Sequence, residues 1–174
     1  MAAATEALVV LARVRTGEAD AARAAIAAHW PAAASPFALV AGTHLARLQV
    51  LTPPARRLRG RRRTPAEHVL LAADADAPAA AWLERLRAAA PGPLDAVLGH
   101  CAFYPGTTER AAFARWIAAN RLDVGFSVIG SPGATTADVR AALGLRDEIA
   151  AFAERTQGLD PTALRTAWRD WRAA

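Results

Sequence analysis

Apolar positions in the first half of the chain follow the two-residue period of strands and the longer period of helices in turn. Three short runs are rich in β-branched residues or alternate apolar with polar ones. Each predicts a strand, and they comprise residues 7–14, 43–51 and 67–73. Residues 94–104 form a further apolar run that ends at a Pro-Gly turn. They predict a fourth strand, in which Gly99 marks a bulge or a close backbone approach.

Two helices are predicted between these strands. The first begins at Thr16, a residue type that caps helices, and ends before Pro31. The second begins with Asp76 as its N-cap and ends at residues 91–93, where two prolines flank a glycine. Its apolar face is formed by Trp82, Leu83 and Leu86.

The order β-α-β-β-α-β predicts an α+β fold with a ferredoxin-like antiparallel sheet. Residues 7–104 would form this core, and residues 105–174 would add a mainly helical extension to the same single domain. Helices cover one face of such a sheet, so the other face must be covered by the extra helices or by a second subunit. Two such sheets that meet face to face make a dimeric α+β barrel, and we therefore expect a homodimer.

The extension carries three predicted helices and a short fifth strand at residues 124–129. The helices begin near residue 108, at Thr135 and at Asp160. Their apolar faces are formed, in chain order, by Phe113, Trp116 and Ile117, by Val139, Leu143, Ile149 and Phe152, and by Leu164, Trp168 and Trp171.

Composition restricts the class of protein. An apolar fraction of 53% in 174 residues excludes wholesale disorder. One cysteine excludes an intrachain disulfide, which fits a reducing compartment. No apolar run approaches the ~20 residues of a membrane-spanning helix, and the N-terminus lacks the features of a signal peptide. We therefore expect a cytoplasmic protein that does not bind a membrane.

Every basic residue is arginine, and the net charge is +5. Six of these arginines lie in residues 56–63, inside a proline-flanked segment at residues 52–66 that predicts a polar connection. The segment has no aromatic residues among its arginines, so a solvated loop is the expected state and a nucleic-acid partner is not expected. Phosphate contact, or a cap over an acidic ligand, is the alternative.

The order of elements resembles that of the dimeric α+β barrel superfamily. The blocks at residues 43–47 (THLAR), 94–101 (LDAVLGHC) and 142–149 (ALGLRDEI) resemble an uncharacterised bacterial group in that superfamily. This group is near the small monooxygenases and cyclases and the dye-decolourising-peroxidase-like proteins, and the resemblance covers residues 7–154. It implies a small-molecule pocket in the barrel, and in the monooxygenases no cofactor is needed, because electron-rich polyphenols activate oxygen themselves.

His44 and Arg47 are candidate site residues on the second strand. Regular alternation places them on opposite faces of the strand, so they would not share a site. His44 is either a hydrogen-bonded core histidine or a general base inside the barrel, and Arg47 is either a solvated residue or the group that holds an anion. His44 would share the buried face with Ala46, Leu48 and Val50.

His100 and Tyr104 are the candidates on the predicted fourth strand, where they share a face. They would form a proton-transfer pair, or a buried polar pair that satisfies its own hydrogen bonds. Cys101 points away from His100 on a strand, so a buried inert thiol is expected there.

No metal or cofactor is expected. The four histidines are scattered and no cysteine cluster has the spacing of a zinc site, although three strand histidines could converge in a barrel. A haem peroxidase is the alternative, and it needs a proximal histidine and a distal Asp-Arg pair, which are not matched onto this sequence.

The sequence thus favours an enzyme of a bacterial biosynthetic pathway, of oxygenase or cyclase type, that acts on an aromatic or polyketide-like substrate. His44 and His100 would be its acid and base, supported by Arg47 and Tyr104. A non-catalytic ligand-binding or accessory protein on the same fold is the main rival.

Overall fold

The computed structural model describes residues 5–54, 56–58, 61–63, 65–125 and 133–173. The chain divides into two compact units, which comprise residues 1–136 and 137–174. No described helix is long and apolar enough to span a membrane.

The strands are β1 (Glu6–Arg13), β2 (Thr43–Leu51), β3 (Arg56–Leu58), β4 (Arg61–Arg63), β5 (His68–Ala75) and β6 (Arg121–Leu122). The helices are α1 (Ala19–His29), α2 (Ala79–Ala89), α3 (Pro91–Leu98), α4 (Arg110–Asn120), α5 (Thr136–Arg155) and α6 (Pro161–Ala173), with short 3₁₀ helices at Ala32–Ala34 and Pro36–Leu39.

A four-stranded antiparallel sheet in the order β2-β5-β1-β6 organises the first unit. The strands β1 and β2 lie on either side of β5 and run parallel to each other, and α1 connects them. The α+β class is therefore confirmed. The simple β-α-β-β-α-β description is not, because β6 has two residues and follows three successive helices.

Alternation along the central strands separates a buried sheet face from a partly exposed one. Leu8, Val10 and Leu71 on the buried face are at most 3% exposed, and they pack in one core with the helices. The helices contribute Trp82, Leu83, Leu86, Leu94, Val97, Phe113, Trp116 and Ile117 to that core. The predicted apolar faces of the second helix and of the helix near residue 108 are thus confirmed.

The predicted fourth strand at residues 94–104 is wrong. Residues Pro91–Leu98 are α3, with proline in its first turn, where the missing N–H is not needed. Leu94, Val97 and Leu98 are all at most 1% exposed, so their spacing is that of one buried helix face. Between α3 and Tyr104, the strand-like pairing described is one isolated bridge from Cys101 to Val14.

The predicted caps of the two early helices are also wrong. Glu18, not Thr16, is the residue before α1, and α2 begins after Pro78 without a side-chain cap. The backbone N–H of Ala79 instead donates to the Glu6 carboxylate at 3.0 Å. Asp76 is therefore available for other contacts.

The segment at residues 52–66 is not only a polar connection. Within it, β3 and β4 form a separate two-stranded antiparallel sheet, in which Arg56 pairs with Arg63 and Arg57 with Arg62. In the proposed fifth strand at residues 124–129, Val124 and Gly125 are not strand, and the remaining residues lie outside the described part of the chain.

The second unit is a helical hairpin of α5 and α6 with a turn at Gly158, whose φ is +81°. Phe152 is buried beside Trp168 and Trp171, with ring centroids 5.5 Å away in each case. The expected burial of the earlier apolar positions of α5 is wrong, because these residues are 40–45% exposed. These positions are Val139, Leu143 and Ile149.

Candidate functional site

A concave site of about 250 Å³ lies on the sheet face that is turned away from the core. Its floor is apolar, because outward-facing positions of three neighbouring strands carry small or aliphatic residues. Leu45 lies at the rim of the site and is 58% exposed. The lining comprises Ala7, Leu8, Val9, Leu45, Arg47, Leu70, Ala72, Ala73, Asp74 and Val124.

Arg47 and Asp74 are the two charged residues among those that line this site. The register pairs Arg47 with Ala72 and Leu45 with Asp74, so the two charged residues are diagonal neighbours on one face. Within the described part of the chain neither makes an ion pair or a side-chain hydrogen bond. An apolar concavity therefore presents an unpaired guanidinium beside an unpaired carboxylate.

A β-bulge at the start of β2 decides where His44 lies. Thr43 pairs with Ala75 and Leu45 pairs with Asp74, which leaves His44 as an extra residue without a cross-strand partner. The Thr43 side chain points toward the core, where its hydroxyl accepts a hydrogen bond from the indole N–H of the buried Trp82 at 2.8 Å.

The prediction that His44 lies on the buried face is thus wrong at this one position. Ala46, Leu48 and Val50 do pack against the core as expected. The bulge breaks the alternation only before Leu45, and both His44 and Leu45 are exposed residues. His44 therefore adjoins the concave site, because it immediately precedes Leu45, the residue at the rim of that site.

His44 forms a dyad with Asp76, in which the imidazole Nε2 contacts the carboxylate Oδ1. The Thr136 amide and hydroxyl each donate to the other oxygen, Oδ2, at 2.8 Å. Burial opposes ionisation of Asp76, but the hydrogen bonds from Thr136 and His44 outweigh it and hold the pKa of this carboxyl below its usual range. The carboxylate fixes the ring and leaves Nδ1 available for a proton.

His100 belongs to a different dyad. Its Nδ1 is 2.6 Å from the Glu18 carboxylate, just before α1, and Arg15 lies 3.7 Å from the same oxygen. The hydrogen bond from His100 lowers the pKa of Glu18, with a further contribution from Arg15. This dyad is formed by residues that the concave site does not include.

Tyr104 does not pair with His100. Its hydroxyl donates to Asp95 at 2.7 Å, and the amide and hydroxyl of the buried Thr107 donate to the same carboxylate at 2.9 and 2.8 Å. Burial, and then the Asp95 hydrogen bond, raise the pKa of Tyr104 above its usual range. Neither predicted form of a His100–Tyr104 pair is therefore present, and the hydrogen bonds to Asp95 instead close the loop after α3.

Cys101 is fully buried, and burial raises the pKa of its thiol to about 12. A thiol that stays protonated at neutral pH is a poor nucleophile.

The structure thus brings His44 and Arg47 to one end of one sheet face and separates them from His100 and Tyr104. Sequence reasoning missed Asp74, Asp76 and Glu18. The available signal was the pair of acidic residues at the end of β5, opposite the strand that carries His44, but Asp76 was assigned to a helix cap.

Within the described residues, no group of three histidine, cysteine, aspartate or glutamate side chains is arranged to hold a metal ion. A haem ligand must turn an unbonded imidazole nitrogen into an apolar cavity. Neither His44 nor His100 lines the concave site or the two other cavities described, near Arg13 and between α2 and α4.

Comparisons with protein-family models, with curated proteins and with solved structures give no significant match. The resemblance to the dimeric α+β barrel superfamily therefore stays a prediction.

Proposed function

We propose that this protein is an enzyme that binds a small aromatic or polyketide-like molecule on the outer sheet face and acts on it by proton transfer. The observation that carries the proposal is the apolar concave site with the unpaired Arg47, next to the His44–Asp76 dyad. Ligand sites are typically apolar cavities with a few convergent polar groups.

Arg47 supplies the binding charge. A guanidinium that has no internal partner among the described residues, on an apolar floor, attracts a carboxylate, phenolate or enolate, and its planar donors suit an oxygen anion. The ligand is therefore amphipathic, with an apolar ring system and one group that is anionic or becomes so during the reaction.

His44 supplies the base. Its Nδ1 accepts a proton from an acidic C–H or O–H of the substrate, Asp76 stabilises the resulting imidazolium, and Arg47 stabilises the substrate anion. In a cyclase the carbanion then attacks a carbonyl of the same molecule. In a cofactor-independent oxygenase the electron-rich anion reacts with molecular oxygen as the second substrate.

A second copy of the chain would complete the site. The concave site has exposed apolar residues such as Leu45 at its rim, and a facing sheet would bury them and exclude water from the reaction. This arrangement is the dimeric α+β barrel of the sequence-based expectation. Leu45→Glu is expected to convert a dimer to a monomer in analytical ultracentrifugation, and an unchanged oligomeric state would count against the facing sheets.

Binding is tested with 1-hydroxy-2-naphthoate, a fluorescent aromatic acid. Arg47→Gln is expected to weaken binding by at least tenfold, whereas Arg85→Gln, which removes an exposed arginine of α2 that has no described partner, leaves it unchanged. Equal affinities for the two variants would remove Arg47 from the site.

Catalysis is tested with 2-tetralone, an aromatic ketone with acidic C–H groups, by NMR detection of deuterium uptake from D₂O. The protein is expected to accelerate exchange, and His44→Gln to abolish the acceleration while naphthoate binding is retained. Naphthoate binding without any accelerated exchange would favour the non-catalytic binding protein. One observation supports that second function: His44 adjoins the concave site but does not line it.

A further inference from the structure

We infer that the cavity at the end of β1 is a binding site for a phosphate monoester. The cavity has a volume of about 380 Å³, within the range of about 300–1,000 Å³ that is usual for ligand sites. Two segments line it, residues 13–17 at the end of β1 and residues 65–67 just before β5. It shares no residue with the concave site, so the inference does not depend on the proposed function.

Two arginines of one extended segment supply the positive charge. Val14, between them, is 4% exposed and pairs with Cys101, while its N–H donates to the Glu67 carbonyl at 2.9 Å. Because side chains alternate along an extended chain, Arg13 and Arg15 lie together on the opposite, outer side, with Cα atoms roughly 7 Å apart. The two guanidinium groups can therefore reach one anion, and that anion would relieve the repulsion between their like charges.

The two arginines differ in how they are held. Arg15 Nη1 donates to the Cys101 carbonyl at 3.5 Å, and its Nη2 lies 3.7 Å from the Glu18 carboxylate. Arg13 is exposed, and its guanidinium has no ion pair or hydrogen bond within the described part of the chain. One arginine is thus oriented in advance, which lowers the entropy cost of binding, and the other has all its donors available.

The acidic groups at the cavity are already engaged. Residues 13–18 and 65–67 contain two acidic residues, Glu18 and Glu67. Glu67 accepts from Arg23 at 2.9 Å and from Thr52 at 2.8 Å, and these bonds, the one from Thr52 first, hold its pKa below the usual range. The Glu18 carboxylate lies 2.6 Å from His100 Nδ1. Neither carboxylate is left to neutralise the cavity, which therefore presents more donors than acceptors.

The turn after Arg15 adds further donors. Gly17 has a φ of +82°, a left-handed conformation that glycine adopts without strain. Among the described residues, the N–H groups of Thr16 and Gly17 have no acceptor. A phosphate monoester carries about 1.5–2 negative charges at pH 7 and three acceptor oxygens, so it matches two arginines and two amides better than a carboxylate does.

His68 extends the site along the outer face of the sheet. The register places it directly opposite Arg13, and its neighbour Val69 is 1% exposed, so the imidazole lies on the same side as the guanidinium. The imidazole has no described partner and can donate a further hydrogen bond. Residues 65–66, a proline and an alanine, form the wall against which the organic part of the ester would lie.

The test is isothermal titration calorimetry of the full chain with glycerol 3-phosphate, in a buffer without phosphate. One site is expected. Glycerol, which lacks the phosphate, should not bind, and inorganic phosphate should bind more weakly, because it lacks the part that contacts the wall. Saturating 1-hydroxy-2-naphthoate should not displace the ester, because the two cavities share no residue.

Matched variants assign the binding to Arg13. Arg13→Gln is expected to weaken binding roughly ten- to a hundredfold, because it removes hydrogen bonds to a charged group. Arg13→Lys keeps the charge but loses the planar donors, so its affinity should be intermediate. Arg85→Gln removes the same charge from an exposed position of α2 and should change the affinity by less than about threefold. Circular dichroism first verifies that each variant keeps the wild-type spectrum.

Three results would overturn the inference. These are no binding of glycerol 3-phosphate at millimolar concentration, equal affinities of Arg13→Gln and Arg85→Gln, and binding of inorganic phosphate as tight as that of the ester. The last result would reduce the cavity to a site for a free ion.

Discussion

Asp95 accepts three hydrogen bonds that hold the loop after α3, and its replacement by alanine should destabilise the protein strongly. The donors are the Tyr104 hydroxyl and the amide and hydroxyl of Thr107, a residue that is 3% exposed. A hydrogen bond to a charged group contributes about 1.5–3 kcal/mol, and a buried donor left without a partner costs about 1–3 kcal/mol. Because the three bonds share one carboxylate and are not additive, we expect a loss of about 3–5 kcal/mol for Asp95→Ala.

Urea unfolding followed by near-UV circular dichroism measures this loss, because the ring of Tyr104 lies 5.0 Å from that of Trp116. For a protein of this size the same loss corresponds to a fall in Tm of roughly 6–20 °C. Asp123→Ala is the matched control, since Asp123 is exposed and has no described partner, and it should change the free energy of unfolding by less than about 0.5 kcal/mol.

Two further variants distinguish the hydrogen bonds from the loss of packing. Asp95→Asn keeps the shape and one acceptor oxygen and should lose about half as much as Asp95→Ala. Tyr104→Phe removes one donor and should lose about 1–2 kcal/mol. If Asp95→Ala were no more harmful than Asp123→Ala, the carboxylate would not hold this loop and the reasoning would fail.

Gly99→Ala should destabilise the protein by at least about 1 kcal/mol in urea unfolding, because a Cβ there would lie 2.5 Å from the carbonyl oxygen of Asp95. Gly144→Ala, inside α5, places its Cβ in open space and should be neutral or stabilising. The reverse order would contradict the packing at the end of α3. Cys101 should react with Ellman's reagent at pH 8 only in denaturant, because burial raises the pKa of its thiol to about 12; rapid reaction of the native protein would show an open site. Asp76 has a pKa below that of an unfolded chain, so its contribution to stability is present above about pH 4 and is lost as pH falls through the lower folded-state pKa. The difference in stability between wild type and Asp76→Asn should therefore shrink below pH 4, and a difference that is constant with pH would contradict the assignment.

Local pattern was sufficient for the elements whose periodicity is unambiguous. The alternation in β1, β2 and β5 and the helical spacing of Trp82, Leu83 and Leu86 predicted strands and a buried helix face, and the structure confirms them. A strand with one face against a core alternates apolar and polar side chains, and a helix against a core carries an apolar stripe. These patterns therefore indicate directly which side chains are buried. The α+β class follows from them.

Residues 94–104 show where local pattern fails. A short apolar run with a valine and an aromatic end is compatible with a buried strand or with one buried helical face. Phe103, with a φ of +57° and a side chain that is 96% exposed, has a conformation that no strand would give it. The prediction of His100 and Tyr104 as a pair failed with the strand, because their proximity depended on a shared face.

The site residues were predicted as residue types and placed by the tertiary structure. The sequence by itself determined that His44 and Arg47 share a strand, that Cys101 is a single thiol and that six arginines cluster at residues 56–63. Only the tertiary structure decided that a bulge moves His44 to the outer face and that Asp76 is its partner. It also decided that Arg56 pairs with Arg63 and Arg57 with Arg62 in a two-stranded sheet. The physical reason is that periodicity records whether a side chain is buried, whereas register and partners depend on segments that are distant in sequence and meet only on folding.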